Sequence, residues 1–308
     1  DALLLNRLLK HISSCFDISR VMEYTVETNP ATIDAQKLEV LASNHVNRLS
    51  IGMQSSSDSE LSALSRIHTY SDFLYGYSLS RKYIDNINVD IMAGIPGQTS
   101  DSLDRTVKNI LSLKPEHISV YLLRIERETP FYRMRTELLL PDDDTCADMY
   151  LSVSSALEKS GYVHYEISNF ALPGKEAIHN TSYWKRKPYV GFGPSAHSFI
   201  CKTRYSYKKN IYEYINAVLS GVMPPLDEYS VLTEKDAVNE EIMLSLRLSE
   251  GLDLPYFKEK TGYDILEENR QDITEWISAG LASMNNGVFR LTDRGFAVSN
   301  YIISGLLL

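Results

Sequence analysis

Over residues 1 to about 170 the chain alternates between two hydrophobic patterns. Short β-type runs at 23–26, 46–51, 87–92, 117–123 and 162–167 are separated by stretches with apolar residues at helical spacing. The helical stretches fall at about 32–43, 71–84 and 101–113, and from Asp142 or Asp143 to about 159. Ser100 and Asp101 stand where they can cap the third. A further amphipathic helix opens the chain, with Leu3, Leu4, Leu5, Leu8, Leu9 and Ile12. Strands that alternate with helices imply parallel βαβ units. An open doubly wound sheet and a barrel, full or partial, both satisfy that pattern. In either, ligands sit at the C-terminal ends of the strands.

Those ends carry polar residues in four successive units: Glu27 with Asn29, then Gln54, then Asp90, then Arg124 with Glu126. Any one of them alone reads as a helix cap or a solvated loop residue. Their recurrence along one edge points to a shared ligand surface.

The pattern changes in residues 171–225, which hold Pro173-Gly174, Trp184, Gly191, Gly193-Pro194 and many tyrosines. This segment reads as an irregular extension packed on the first region, with one or two added strands and Pro224-Pro225 as a linker. Residues 226–308 change again. Helices are expected at about 233–247, 254–261 and 264–280, then a hairpin turning at Asn286-Gly287, then a helix capped by Thr292 and Asp293. That order describes a winged-helix-like α+β domain. It carries no dense basic stripe, so a structural or docking role is expected rather than DNA binding. The expected division is 1–170, 171–225 and 226–308.

Composition narrows the classes. Hydrophobic residues make up 44% and charged residues 23% of the 308, which excludes a mainly disordered chain. The net charge is −9 without a Lys/Arg block, which argues against nucleic acid as a partner. No apolar run approaches the roughly 20 residues of a membrane span, and Lys10 and His11 interrupt any signal-like start. Cys15, Cys146 and Cys201 are far apart in the sequence and odd in number, so a reducing cytoplasm is expected. The chain opens on Asp1, directly in a helical pattern, and further sequence upstream is expected.

One ordered string of motifs runs through nearly all of this. It comprises Glu27-Thr28-Asn29-Pro30, the run from Asn47 to Gln54, Ser65-Arg66-Ile67-His68, the run from Asp90 to Thr99 and Glu116-His117-Ile118-Ser119. It continues with the run from His164 to Ala171, the run from His179 to Trp184 and the run from Gly191 to Ser198. The string resembles the HemW branch of the radical S-adenosylmethionine proteins, the group related to oxygen-independent coproporphyrinogen III oxidase.

The resemblance implies a partial (β/α) radical SAM barrel, its first two strands absent here, followed by the winged-helix-like domain. It implies S-adenosylmethionine and a [4Fe–4S] cluster as cofactors. The family's three-cysteine loop is not in the sequence, so no cluster is expected to assemble on this chain. Carried over by position, Glu27 matches the partner of the adenosylmethionine amino group, and Gln54 and Asp90 match residues that bond the ribose. Arg66 matches the residue that meets the carboxylate. His179-Asn180-x-x-Tyr183 matches a motif tied to haem binding, with His197 as the rival haem ligand. His45, His68, His117 and His164 are expected to be structural.

Three functions stay open on this reading. The first is a haem chaperone or haem-transfer protein, with haem or a porphyrin as ligand and haem-receiving respiratory proteins as partners. The second is an oxidase that decarboxylates coproporphyrinogen III to protoporphyrinogen IX. The third is a binding module without radical chemistry.

Overall fold

The computed structural model describes residues 1–127 and 129–308. The chain divides into two compact units, Asp1–Ile178 and His179–Leu308.

The first unit is built from βα repeats. Helix α1 (Ala2–Cys15) starts on the Asp1 side chain, which accepts from the backbone of Leu3 and Leu4. Then come β1 (Thr25–Thr28), α2 (Ala35–Ser43), β2 (Arg48–Gln54), α3 (Asp58–Ala63), α4 (Tyr70–Ser80), β3 (Asn86–Ala93), α5 (Ser100–Leu113) and β4 (His117–Leu122). Helices α6 (Pro130–Met134) and α7 (Asp143–Lys159) lead to β5 (Val163–Glu166) and β6 (Asn169–Ala171). Most of these helices announce their starts chemically. Thr69 and Thr99 form capping boxes with Asp72 and Ser102, and Asp34 and Asp142 each accept a backbone N–H of the first turn.

The six strands form one sheet in the order β1-β2-β3-β4-β6-β5. Strands β1 to β4 are parallel neighbours, as alternating β and α patterns require. The far edge departs from the expectation of one more parallel strand. Glu166 and Asn169 face each other across a two-residue turn, and β6 enters between β4 and β5, antiparallel to both. At three residues, β6 is too short to show a period in the sequence.

The strands alternate strictly between two environments. Leu49, Ile51, Ile87, Val89, Ile91, Ile118 and Val120 are at most 1% exposed and join the hydrophobic core. Leu38, Leu41, Phe73, Leu103, Val107, Ile110, Val153 and Leu157 of α2, α4, α5 and α7 belong to the same cluster. Each such side chain stabilises the unit by roughly 1.5–3 kcal/mol through removal from water. The intervening residues form the other face and are polar: Arg48 and Ser50, then Asn88 and Asp90, then His117 and Ser119. All but Asp90 are buried.

In the second unit, helix α8 (Ile178–Trp184) precedes β7 (His197–Ile200), β8 (Thr203–Tyr207), α9 (Ile211–Leu219) and β9 (Leu226–Val231). The three strands make an antiparallel sheet in the order β7-β8-β9. Two expectations change here. Pro224-Pro225 leads straight into β9, with the Pro225 carbonyl accepting from Lys208 N–H, so the pair starts a strand instead of forming a linker. Helix α9 is also new. Its apolar residues are largely exposed, and its start is marked by Asn210, whose side chain accepts from Tyr212 and Glu213.

The C-terminal part follows the helix and hairpin order expected from the sequence. It contains α10 (Glu234–Ser245), β10 (Leu252–Asp253), α11 (Leu254–Thr261), α12 (Ile265–Glu268), α13 (Arg270–Ser278), β11 (Ala282–Asn285), β12 (Val288–Leu291), α14 (Asp293–Ala297) and α15 (Ser299–Leu306). The two-residue β10 adds a third strand to the hairpin, in the order β10-β12-β11.

Candidate functional site

The polar face of the first unit's sheet is a continuous hydrogen-bond network. The Ala177 N–H donates to Tyr165 Oη (3.3 Å), and the Tyr165 hydroxyl lies 2.7 Å from His117 Nε2. His117 Nδ1 lies 2.6 Å from Asn88 Oδ1, which also accepts from Ser119 Oγ at 3.1 Å. Asn88 Nδ2 donates to Ser50 Oγ (2.8 Å) and to Asp90 Oδ1 (2.7 Å). Ser50 Oγ donates to Asp90 Oδ2 at 2.9 Å. The network fixes the tautomer. Asn88 commits its NH2 group to Ser50 and Asp90, so His117 carries its proton on Nδ1 and accepts from Tyr165 at Nε2.

Electrostatics supports that assignment. Burial, and then the Arg48 guanidinium, hold the His117 pKa well below 6.5, so the ring is neutral at pH 7. Burial also pushes the Tyr165 hydroxyl up, so it stays a donor. Every donor in the chain therefore runs toward the Asp90 carboxylate. Beside it, Tyr121 is pushed up to about 12, first by burial and then by the charge of Asp90, with Glu166 and Glu27 adding to it. The sheet thus brings Glu27, Asp90 and Glu166 near one phenol. Arg48 is 4% exposed, and its Nε has no hydrogen-bond partner among the described residues.

At the strand ends a second group gathers over Gly52. The β2–β3 register shifts between Gly52 and Gln54, and Gln54 has φ +70, a left-handed conformation uncommon outside glycine. The turn folds the Gln54 amide back, so its Nε2 lies 2.8 Å from where a Gly52 Cβ would stand, with Asn29 Oδ1 at 3.9 Å. Arg66 Nη1 donates to that same Asn29 oxygen at 3.2 Å. Gln54, Asn29 and Arg66 therefore form one cluster, while Glu27 and Asp90 lie on the polar face beside it.

Several residues escaped the sequence reading. Asn88, Tyr165 and Arg48 were not singled out; His117, expected to be structural, is fully buried and bonded at both ring nitrogens within the network. The available signal was alternation: Arg48-Leu49-Ser50-Ile51 and Asn88-Val89-Asp90-Ile91 put polar residues on every second position of central parallel strands, which are normally apolar on both faces. Glu60 was also missed. It accepts from Ser55 (2.6 Å), Gln98 (3.0 Å) and Ser102 (2.5 Å), and Gln98 in turn accepts from the Gly94 N–H. This tie joins the loop after β2 to the loop after β3 and so steadies the strand ends.

The cysteines do not form a cluster site. Cys15 closes α1 beside His11 (3.5 Å), Cys146 lies on α7 against Gly94, and Cys201 sits in the β7–β8 turn of the other unit. All three are free thiols. A [4Fe–4S] cluster needs three converging thiolates, and the residues present do not fit it.

In the second unit, His179 and Tyr183 are one turn apart on α8. Their rings meet edge to face at 4.7 Å, and Tyr183 meets Tyr189 in the same way at 4.6 Å. Burial, then Tyr189, raises the Tyr183 pKa, so the phenol is protonated at neutral pH. Helix α8 ends with Lys187 N–H on the Ser182 carbonyl and Arg186 N–H on that of Tyr183, with Arg186 itself left-handed at φ +54. This end borders a cavity of about 450 Å³ lined by Tyr183, Arg186, Lys187, Tyr189, His197 and Phe199 among others. His197, the rival ligand, is exposed at the start of β7.

Comparison with known proteins places these features. The radical SAM superfamily model matches residues 2–110, and the HemN C-terminal domain model matches residues 232–298. In overall fold the chain is similar to coproporphyrinogen III oxidase (HemN) from Escherichia coli, with a TM-score of 0.81 at 20% identity, covering 99% of this chain and 74% of that one. The two family matches and the fold together define a radical SAM protein of the HemN type.

The sequence places it more finely. It is 35% identical over 307 residues to the heme chaperone HemW of Bacillus subtilis (strain 168), covering 99% of this chain and 79% of that protein. It is 34% identical to the heme chaperone HemW of Lactococcus lactis subsp. lactis (strain IL1403), covering 99% and 80%. The chain belongs to the HemW family.

Proposed function

We propose that this chain is a haem-binding protein of the haem-chaperone type, with His179 as the iron ligand and Tyr183 as its neighbour in the site. The observation that carries the reading is the pairing of those two rings on α8, within a chain that is 35% identical to a haem chaperone across nearly its whole length. A neutral imidazole is a competent axial ligand. The Tyr183 phenol is held protonated by its surroundings, so it serves better as a packing and hydrogen-bonding group than as the ligand itself. Haem titration of His179→Ala and His197→Ala tests this. The His179 variant is expected to lose the parent's absorption spectrum and bind more weakly, and the His197 variant to keep both. Parent-like spectra for His179→Ala would remove His179 from the site.

The first unit is assigned the adenosylmethionine pocket. Glu27 would meet the ammonium, and Gln54 and Asp90 the ribose hydroxyls. Arg66, held by Asn29, would meet the carboxylate with its planar fork. Three carboxylates near Tyr121 suit a ligand that carries positive charge. When bound, S-adenosylmethionine would supply a sulfonium centre. The chain's own part is to bind and orient it, and no radical step is drawn because the cluster does not fit the residues present. Calorimetry with S-adenosylmethionine on Glu27→Ala and Asp90→Ala checks the placement. Affinity about tenfold or more below the parent is expected in both, equivalent to about 1.4 kcal/mol, and unchanged affinity in both would move the pocket elsewhere.

The physiological setting follows from the same reading: a reducing compartment such as the cytoplasm, consistent with three free thiols, and delivery of haem to respiratory proteins that lack it. Among the described residues no helix is long and apolar enough to cross a membrane.

A further inference from the structure

Arg186 and Arg204 both donate from Nε to Glu240, each at 2.8 Å. Their guanidinium groups also lie over the Phe199 ring, at 5.6 and 4.6 Å from its centroid. Phe199 is thereby covered by two cations that one carboxylate holds in place. Tyr183 and Tyr189 stand beside them, edge to face. Lys187 is exposed on the cavity's rim and pairs with no carboxylate among the described residues. Glu234, which also feels the charge of Arg186, is paired with Lys202 at 2.7 Å. The cavity therefore combines the rings of Tyr183, Tyr189 and Phe199 with three cations, two of them held by Glu240.

That combination selects a flat, hydrophobic ligand with carboxylates at its edge. Aromatic walls bury a planar macrocycle, and arginine and lysine pair with carboxylates in a partly desolvated setting. We propose that this cavity holds the macrocycle and the propionates of a tetrapyrrole, with Lys187 and Arg186 as the carboxylate partners, and that this recognition does not require iron. The proposal rests on the haem reading above and deepens it, since it separates holding the ring from ligating the metal: Tyr183, whose ring meets that of His179 at 4.7 Å, lines the cavity, and His179 itself does not. The backbone supports a dedicated role for Arg186. Its left-handed position at the end of α8 is one that glycine usually fills at helix ends, yet an arginine stands there, its side chain braced toward the cavity.

The test uses the full chain and metal-free protoporphyrin IX, followed by its fluorescence, beside haem and the porphyrin's dimethyl ester. The parent is expected to bind the free diacid, and to bind the ester about tenfold or more weakly because both carboxylates are capped. Lys187→Glu and Arg186→Gly are expected to weaken the diacid by a similar factor. Arg186→Gly removes the side chain while leaving a residue that takes φ +54 without strain, and circular dichroism verifies that it folds. His179→Ala is expected to keep metal-free porphyrin within about twofold while losing the haem spectrum. Equal binding of diacid and ester, or unchanged binding in both cation variants, would overturn the proposal. Haem binding without any metal-free porphyrin binding would also overturn it and leave the haem reading standing. Binding of neither ligand would remove the haem reading itself.

Discussion

Asn88 spends its side chain entirely on neighbours in its own sheet: two acceptors from its NH2 group and two donors to its carbonyl. Lys187, on the rim of the second unit's cavity, makes no side-chain hydrogen bond or ion pair among the described residues. The two regions are both polar and both face candidate ligands, yet they are constructed oppositely. The first sits on regular strands, where a two-residue period brings like positions side by side, so its groups satisfy one another before any ligand arrives. The second is assembled from a helix end, a left-handed arginine and the start of a strand, and it leaves charge uncommitted. A self-satisfied network fixes geometry; uncommitted charge on a half-open rim supplies affinity. The position of Asp90 is therefore a matter of stability, and the character of Lys187 a matter of binding.

The largest test of that contrast is a pair of substitutions. Asn88→Leu keeps the volume roughly constant but strands the His117 N–H and the Ser119 hydroxyl in a buried setting, and removes the donor to Ser50, whose own hydroxyl still reaches Asp90. Unsatisfied groups there cost about 1–3 kcal/mol each, so a loss of about 3 kcal/mol or more is expected in denaturant unfolding. Lys187→Ala removes an exposed cation and should stay within about 0.5 kcal/mol of the parent. Similar losses in the two variants would mean that the cavity's cations are structural too and that the contrast is false.

The same difference governs what could be read from the chain itself. The βα order and the C-terminal helices and hairpin were legible because their periods run over many residues and their caps are chemically marked. The antiparallel β6 was not, because Asn169–Ala171 is too short to carry a period. At the strand ends, Glu27, Gln54, Asp90 and Arg66 could be named from position and resemblance. The link from Arg66 to Asn29, and the fold of Gln54 over Gly52, depend on a register shift and a positive φ that no residue pattern displays. In the second unit His179 and Tyr183 were named through the motif alone. The cations that accompany them come together only in space, because Arg204 and Glu240 lie on elements remote in sequence from Arg186.

A smaller effect, and a more selective one, comes from the protonation of His117. In the folded protein its pKa lies well below 6.5, chiefly through burial and then through Arg48. In the unfolded chain it returns to the ordinary value of about 6.5. Between those two values the unfolded state binds a proton that the folded state refuses, so stability rises with pH across that interval. The contribution is fully present above about pH 6.5 and is lost as pH falls, at up to about 1.4 kcal/mol per pH unit. His117→Gln deletes that proton while keeping a donor and an acceptor for Asn88 and Tyr165. Unfolding free energies of parent and variant, measured from pH 7.5 down to pH 5, are expected to run parallel above about 6.5. Below that point the parent should fall more steeply. The cap carboxylates of Asp34, Asp72 and Asp142, all held low by hydrogen bonds within their own helix starts, are common to both proteins and cancel in the difference. Parallel curves down to pH 5 would mean that His117 takes up its proton in the folded state, and the one-way chain of donors toward Asp90 would then have the wrong polarity.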